Sequence, residues 1–293
     1  MKRLIITADD FGAAPEVNEA VEIAHQRGVL TAASLMVGAP AVAGALEIAR
    51  RNPRLGVGLH VVLVEGKPVL PPKEIPDLVN KDGYFRSDMV RSATEMFFLP
   101  RVRRQLAAEI GAQFAAFAAT GLPLDHADAH KHFHLHPTIA GLVLKTGARY
   151  GLKAVRVPLE PRGPLAFEST SNGPSLLNGW AALLRRKAVA AGMLVPDQVF
   201  GLRWSGAMTE ERLRGIVENL PEGLSEIYHH PASAAGFQGA APGYRYTDEF
   251  FALTSKTVLA AAHAPGLQLG SFADFLGAPG SVNLRAGKGC EGA

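Results

Sequence analysis

Four short stretches of the sequence concentrate side chains able to hold a cation or move a proton. Thr7-Ala8-Asp9-Asp10-Phe11-Gly12 places two carboxylates side by side, and adjacent acids repel unless a cation or proton lies near them. Taken alone, that pair is as readily a helix N-cap at a strand-to-helix turn. His60 lies in the apolar run Gly56-Val57-Gly58-Leu59-His60-Val61, where a lone imidazole is more often a satisfied core residue. Asp125-His126-Ala127-Asp128-Ala129-His130-Lys131-His132-Phe133-His134-Leu135-His136-Pro137 packs five histidines into eleven residues. Alternate positions of an extended chain face one side, as ligands of one ion must, so this density points to a metal, with a solvated polar loop as the plainer reading. The fourth stretch is Ser225-Glu226-Ile227-Tyr228-His229-His230-Pro231.

Each stretch ends an aliphatic run, and those runs set the fold expectation. Strands are expected over Arg3 to Thr7, Ala32 to Val37, Val57 to Leu63, Leu124 to Ala129, Ala154 to Pro158, Gln198 to Arg203, Leu224 to Tyr228 and Leu267 to Phe272. Between them, Val17, Ala20, Val21 and Ala24 mark one helical stripe; Leu106, Ile110, Phe114 and Phe117 mark a second, and Leu213, Ile216, Val217 and Leu220 a third. Thr209 before two glutamates fits an N-cap and Pro137 a first helical position. Eight strands alternating with helices predict an α/β protein, a (β/α) barrel; an open doubly wound sheet has the same alternation, although no GxGxxG turn follows the first strand.

In a barrel the four stretches meet at the C-terminal rim, delivering Asp, His, His and His. One carboxylate with two imidazoles leaves coordination positions open for water and substrate. A further carboxylate and a further histidine remain for proton transfer. Two segments break the alternation, 64–100 and 159–178, and as rim inserts they are candidate lids or dimer surfaces. The expected organisation is one catalytic unit over 1–278 with a Gly/Ala-rich tail at 279–293.

Composition narrows the class. The 293 residues are 47% hydrophobic and 19% charged, which excludes a disordered chain. Thirty Lys and Arg against 27 Asp and Glu give a net +3, no footprint for nucleic acid. A single cysteine, Cys290, excludes a disulfide framework. With no leader pattern and no long apolar span, a soluble cytoplasmic protein is expected. Arg101, Arg103 and Arg104 beside Phe97, Phe98 and Leu99, and Arg185, Arg186 and Lys187 beside Leu183 and Leu184, read first as solvated helix faces and second as contacts to an anionic membrane surface or lipid-linked substrate.

Asp9-Asp10-Phe11-Gly12, Gly58-Leu59-His60, the Asp128 to Pro137 run, and Glu226 with His230-Pro231 resemble, in this order, the motifs of the YdjC-like (ChbG-type) carbohydrate deacetylases, a likeness that runs from residue 3 to about 275. Met1 to Gly12 and Gly28 to Met36 look most like the hopanoid-biosynthesis-associated HpnK branch. The resemblance implies a barrel of the glycoside hydrolase/deacetylase type and one divalent cation on Asp10, His60 and His130. It implies Asp9 as general base and His230 as the acid that protonates the departing amine, with Glu226 near it as an orienting group. Arg156 would steer the base, and His132 would stand behind the ligands or against substrate. The implied substrate is an N-acetylated amino sugar or glycolipid, for the hopanoid branch a bacteriohopanetetrol bearing N-acetylglucosamine. A homodimer and peripheral contact with the inner membrane are compatible with the family likeness.

Three points stay open in the residues. The family is described with Mg²⁺, whereas a donor set of two imidazoles and a carboxylate suits Zn²⁺, Fe²⁺, Co²⁺ or Ni²⁺. His229 precedes His230, and strand alternation points them opposite ways; the one abutting proline is the expected acid. Competing readings are a metal-dependent phosphoesterase or amidohydrolase on a similar barrel, and a sugar-binding protein with a closed structural metal site. A first strand delivering Asp9-Asp10 rather than a His-x-His pair favours the deacetylase.

Overall fold

The computed structural model describes residues 1–161 and 176–277. Its elements alternate as expected: β1 (Lys2–Phe11), α1 (Pro15–Arg27), β2 (Ala32–Leu35), α2 (Val42–Arg51), β3 (Gly56–Val61), α3 (Met89–Phe98), α4 (Pro100–Ala119), β4 (Ala127–Ala129), α5 (Pro137–Arg149), α6 (Leu176–Ala190), β5 (Gln198–Phe200), α7 (Glu210–Glu218), β6 (Gly223–His229), α8 (Tyr246–Thr254), α9 (Lys256–Ala262) and β7 (Leu267–Leu269). The strands form one parallel sheet in the order β4-β3-β2-β1-β6-β5, with β7 added against the first residues of β1. This is an α/β fold whose parallel sheet forms a half-barrel. The expected strand at Ala154 to Pro158 is reduced to isolated parallel bridges, Ala127 to Val155 and Ala154 to Leu194. Those bridges extend the wall beyond β4 as far as Leu194, ahead of β5, without a ladder of their own.

Period-two alternation divides the strand residues between two cores. Leu4, Ile6, Ala8, Ala33, Leu35, Val57, Leu59, Val61 and Ile227 face the helices and join the large apolar cluster. The residues of the three helical stripes expected from sequence are all buried, and all but Ala20 belong to it. Each large member, such as Phe114 on α4, contributes roughly 1.5–3 kcal/mol by leaving water. The opposite parity faces inward. At the base, Ile5, Ala32, Ala154, Leu194 and Leu224 pack with Phe272 and Phe275 as a small apolar plug. Above the plug the inward positions turn polar: Thr7, Asp9, Ser34, His60, Asp128, Arg156 and Glu226 are all buried.

Prolines open α1, α4 and α5 at the first turn, where the missing N–H costs nothing. Thr209 precedes α7 as expected, but its side chain caps no helix N–H; the acids Glu210 and Glu211 supply the favourable charge there. In the first insert, α3 packs beside α4 while the preceding loop lies over the rim. The second expected insert falls mostly outside the described residues, and the tail at 279–293 with Cys290 falls entirely outside them. No helix among the described residues is long and apolar enough to cross a membrane.

Candidate active site

Asp9 and Asp10 are neighbours on one strand, so regular alternation would send them to opposite faces. Two irregularities bring both to the rim. The pairing of β1 with β2 shifts register between Ala8 and Phe11, and Asp10 takes a left-handed backbone with φ 61°. Asn18 fixes the turn by accepting from Gly12 N–H at 2.8 Å. Left-handed backbone at a non-glycine residue is strained, and such strain gathers at functional sites. Among the described residues the others are Glu65, Lys131 and His132, all close to this rim in the chain or the fold.

Asp10, His60 and His130 each present one donor atom, and the three atoms lie within 4.8 Å of one another. Asp10 Oδ1 is 3.0 Å from His130 Nδ1 and 3.2 Å from His60 Nε2. His60 Nε2 is buried and faces only Asp10 among the described residues; burial disfavours its charge, but the Asp128 and Asp10 carboxylates raise its pKa well above the ordinary value, so a cation bound there would replace a proton. Its other nitrogen, Nδ1, lies 2.9 Å from Asp128 Oδ1, and a carboxylate there orients the ring so that Nε2 is the atom a cation would meet. Burial pushes the Asp10 carboxyl up, but the His130 and His60 imidazoles prevail and hold it well below the usual carboxylate range. These residues fit one divalent ion.

Asp9, His60 and Asp128 also lie close enough to form a donor set, but that set is already engaged. Arg156, fully buried, donates to both oxygens of Asp9, at 2.7 and 2.8 Å. It also meets Asp128 Oδ2 at 2.5 Å and Glu226 Oε1 at 2.8 Å, and its guanidinium lies over the Tyr228 ring. Burial disfavours the guanidinium charge, yet Asp128, Asp9 and Glu226 raise its pKa well above the ordinary value. With Asp10 the interior thus holds four carboxyl groups against one guanidinium. Burial raises the Glu226 pKa despite Arg156, and the remaining excess of negative charge suits a dication.

His230 Nε2 lies 4.0 Å from Asp9 Oδ2, and its ring is held edge-on between Tyr228 and Tyr244. Burial lowers its pKa, with the Asp10 and Asp9 charges pulling the other way. Glu226, expected beside His230, instead accepts from Arg156 and from Thr7 Oγ1. Sequence reasoning missed the carboxylate that does fasten His230: Glu249 of α8 accepts from the backbone N–H of His230 and from that of Met208. Nothing in the local pattern of α8 marks it, since its role depends on the helix packing behind β6. His229 points the other way, fully buried, with neither ring nitrogen partnered among the described residues.

The histidine run does not stay on one face. After His130 the chain turns through left-handed Lys131 and His132 into a 3₁₀ segment, His130–Leu135. His132 Nε2 reaches the Tyr228 hydroxyl at 2.8 Å, and His134 Nε2 donates to the Arg156 carbonyl at 2.9 Å. His136 packs edge-on against Phe97 and Trp180. A cavity of about 740 Å³ opens over Asp9, Asp10, His130 and His230. Its walls carry Met36, Val37, Val69, Tyr84 and Phe237, so the first insert does line the site.

Known proteins resemble the chain over most of its length. A carbohydrate deacetylase of Brevibacillus brevis is 31% identical, covering 93% of this chain and 99% of its own. A human carbohydrate deacetylase is also 31% identical, over 93% of this chain and 91% of its own. A crystal structure from Enterococcus faecalis V583, whose description concerns cellobiose-phosphate cleavage, superposes with a TM-score of 0.74 at 27% identity, covering 94% of this chain and 99% of that one. The family model described as YdjC-like protein matches residues 3–264, and the chain belongs to that family.

Proposed function

We propose that residues 1–278 form one metal-dependent hydrolase that removes the acetyl group from an N-acetylglucosamine-containing substrate. The observation that carries the reading is the pairing, at the mouth of one cavity, of an arginine-gripped carboxylate with a free imidazole 4.0 Å away, beside an Asp-His-His donor set. The names of the relatives supply the substrate class, an acetylated carbohydrate.

The residues divide the work by environment. Asp10, His60 and His130 would hold the cation, and a divalent ion there would polarise the acetyl carbonyl and make water a better nucleophile. Arg156 holds Asp9 in one orientation, so that an Asp9 oxygen faces the water and accepts its proton. An amide nitrogen leaves poorly as an anion, so the C–N bond breaks only as that nitrogen gains a proton. His230 is placed to deliver it. Burial keeps the resting imidazole neutral, and the proton collected by Asp9 lies one short step from it. The products are acetate and the free amine.

The substrate on this reading is amphiphilic, a hopanoid glycoside. The cavity wall is largely apolar, and Phe98 and Leu99 are 68% and 46% exposed just before Arg101 and Arg104 in the chain. An anionic membrane surface would meet both features. Acetate release from a panel of N-acetylglucosamine derivatives, a hopanoid glycoside among them, tests the whole reading with metal-stripped protein restored by single ions, Mg²⁺ and Zn²⁺ included. Activity returning with one ion supports it and names the ion; no release with metal bound overturns it in favour of phosphoester hydrolysis or sugar binding.

A further inference from the structure

Beneath the donor set runs a buried hydrogen-bonded chain that the reaction above does not use. Asp125 Oδ2 is 2.9 Å from His126 Nδ1, His126 Nε2 is 3.0 Å from Ser34 Oγ, and Ser34 Oγ is 3.1 Å from Asp128 Oδ2. Asp128 then meets His60 through its other oxygen. The order Ser-His-Asp is that of a nucleophilic triad. Here it cannot attack anything: Ser34 and His126 are fully buried, Asp125 nearly so, and none of them lines the cavity.

The fold makes room for this chain at some cost to its own packing. A Cβ at Gly58 would lie 2.5 Å from the His126 ring, and one at Gly56 would lie 2.8 Å from the Asp125 carboxylate. Phe272 stacks on His126 with centroids 4.3 Å apart, and the Ala273 N–H donates to Asp125 Oδ1 at 2.8 Å. Two strand positions are thus kept bare, and the last described segment folds under the barrel, to seat one aspartate and one imidazole.

Both ring nitrogens of His126 are engaged, Nδ1 with Asp125 and Nε2 with Ser34, so the imidazole is held in one orientation.

We propose that Asp125, His126 and Ser34 are positioning residues for the metal site. His126 bridges Asp125 and Ser34, and the Ser34 hydroxyl donates to Asp128 Oδ2. Asp128 Oδ1 in turn meets His60 Nδ1, which aims His60 Nε2 towards Asp10 and the cation site. This inference rests on the metal-site reading above.

The test is Zn²⁺ calorimetry on the full-length wild type, Ser34→Ala, Ser34→Thr and His126→Gln, with the Tm of each recorded. Ser34→Ala is expected to bind Zn²⁺ about tenfold more weakly, the lower end of what lost outer partners of a ligand cost, and Ser34→Thr, which keeps the hydroxyl, is expected to recover most of that affinity. Wild-type Zn²⁺ affinity in folded Ser34→Ala or in folded His126→Gln overturns the proposal, and His126→Gln decides it even if Ser34→Ala does not fold. Failure of the metal-site reading shows separately, as absence of Zn²⁺ binding by the wild type, and failure of the deacetylase reading as absence of acetate release.

Discussion

Arg156 grips both carboxylate oxygens of Asp9 from a fully buried position, at 2.7 and 2.8 Å. The same guanidinium meets Asp128 and Glu226, so one cation orients the proposed base and ties together β1, β4 and β6. Asp9→Asn keeps the shape of the side chain but removes the proton acceptor. Turnover is expected to fall roughly 10²- to 10⁴-fold, the usual worth of a positioned base, while calorimetry still finds one cation bound. Loss of the cation together with turnover would instead make Asp9 a ligand.

Asp10→Asn tests the other half of the aspartate pair. It leaves both imidazoles but removes the only anionic donor of the set, so cation affinity is expected to fall by more than about 100-fold, beyond the effect of losing an outer partner. Competition with a chelator measures it. Affinity within a few-fold of the wild type would move the ion to another donor set.

How much of this was legible depended on whether chain-local pattern or tertiary packing decides. The inward parity of β1, β3 and β6 is a period-two property of the sequence, and it placed Asp9, His60, Glu226 and His230 on one rim. Asp10 escapes that rule because a register shift and one left-handed residue re-aim it, which no alternation count shows. The histidine run misled for the related reason that its extended segment ends at His130: His134 turns to a backbone carbonyl and His136 to aromatic rings. Glu249 and the seat for His126 under two glycines arise between elements distant in sequence, where neither spacing nor periodicity carries a signal.

Membrane contact, if it serves substrate access, depends on the exposed apolar end of α3. Phe98 is 68% exposed and Leu99, which follows it, 46%, so Phe98→Ser with Leu99→Ser removes apolar area without opening the core. Flotation with anionic liposomes is expected to recover the wild type and to lose most of the double variant. Wild-type protein remaining at the bottom of the gradient would discard the contact.

Glu249 carries its charge at a cost. Burial raises its pKa to about 8, against the two N–H groups it accepts from. A group whose folded pKa is raised stabilises fully below its unfolded value, about 4.5 here, and that contribution is lost as pH rises through 8. Glu249→Gln does not titrate, so its Tm is expected to decline less than that of the wild type between pH 5 and 9. Parallel declines would show that Glu249 keeps an ordinary pKa.

His229 and His134 give the opposite limb. Burial lowers His134 to about 4 and His229 to about 3. A group whose folded pKa is depressed contributes fully above its unfolded value of about 6.5, and the contribution disappears as pH falls towards the folded value. Shifts of this size put roughly 3–5 kcal/mol at stake for each ring, so stability is expected to fall steeply between pH 6.5 and 3. His229→Phe isolates one part, because neither His229 nitrogen has a partner to lose among the described residues. The variant should unfold at lower pH than the wild type and retain its turnover. Turnover lost in His229→Phe but kept in His230→Gln would transfer the proton-donating role from His230 to its neighbour.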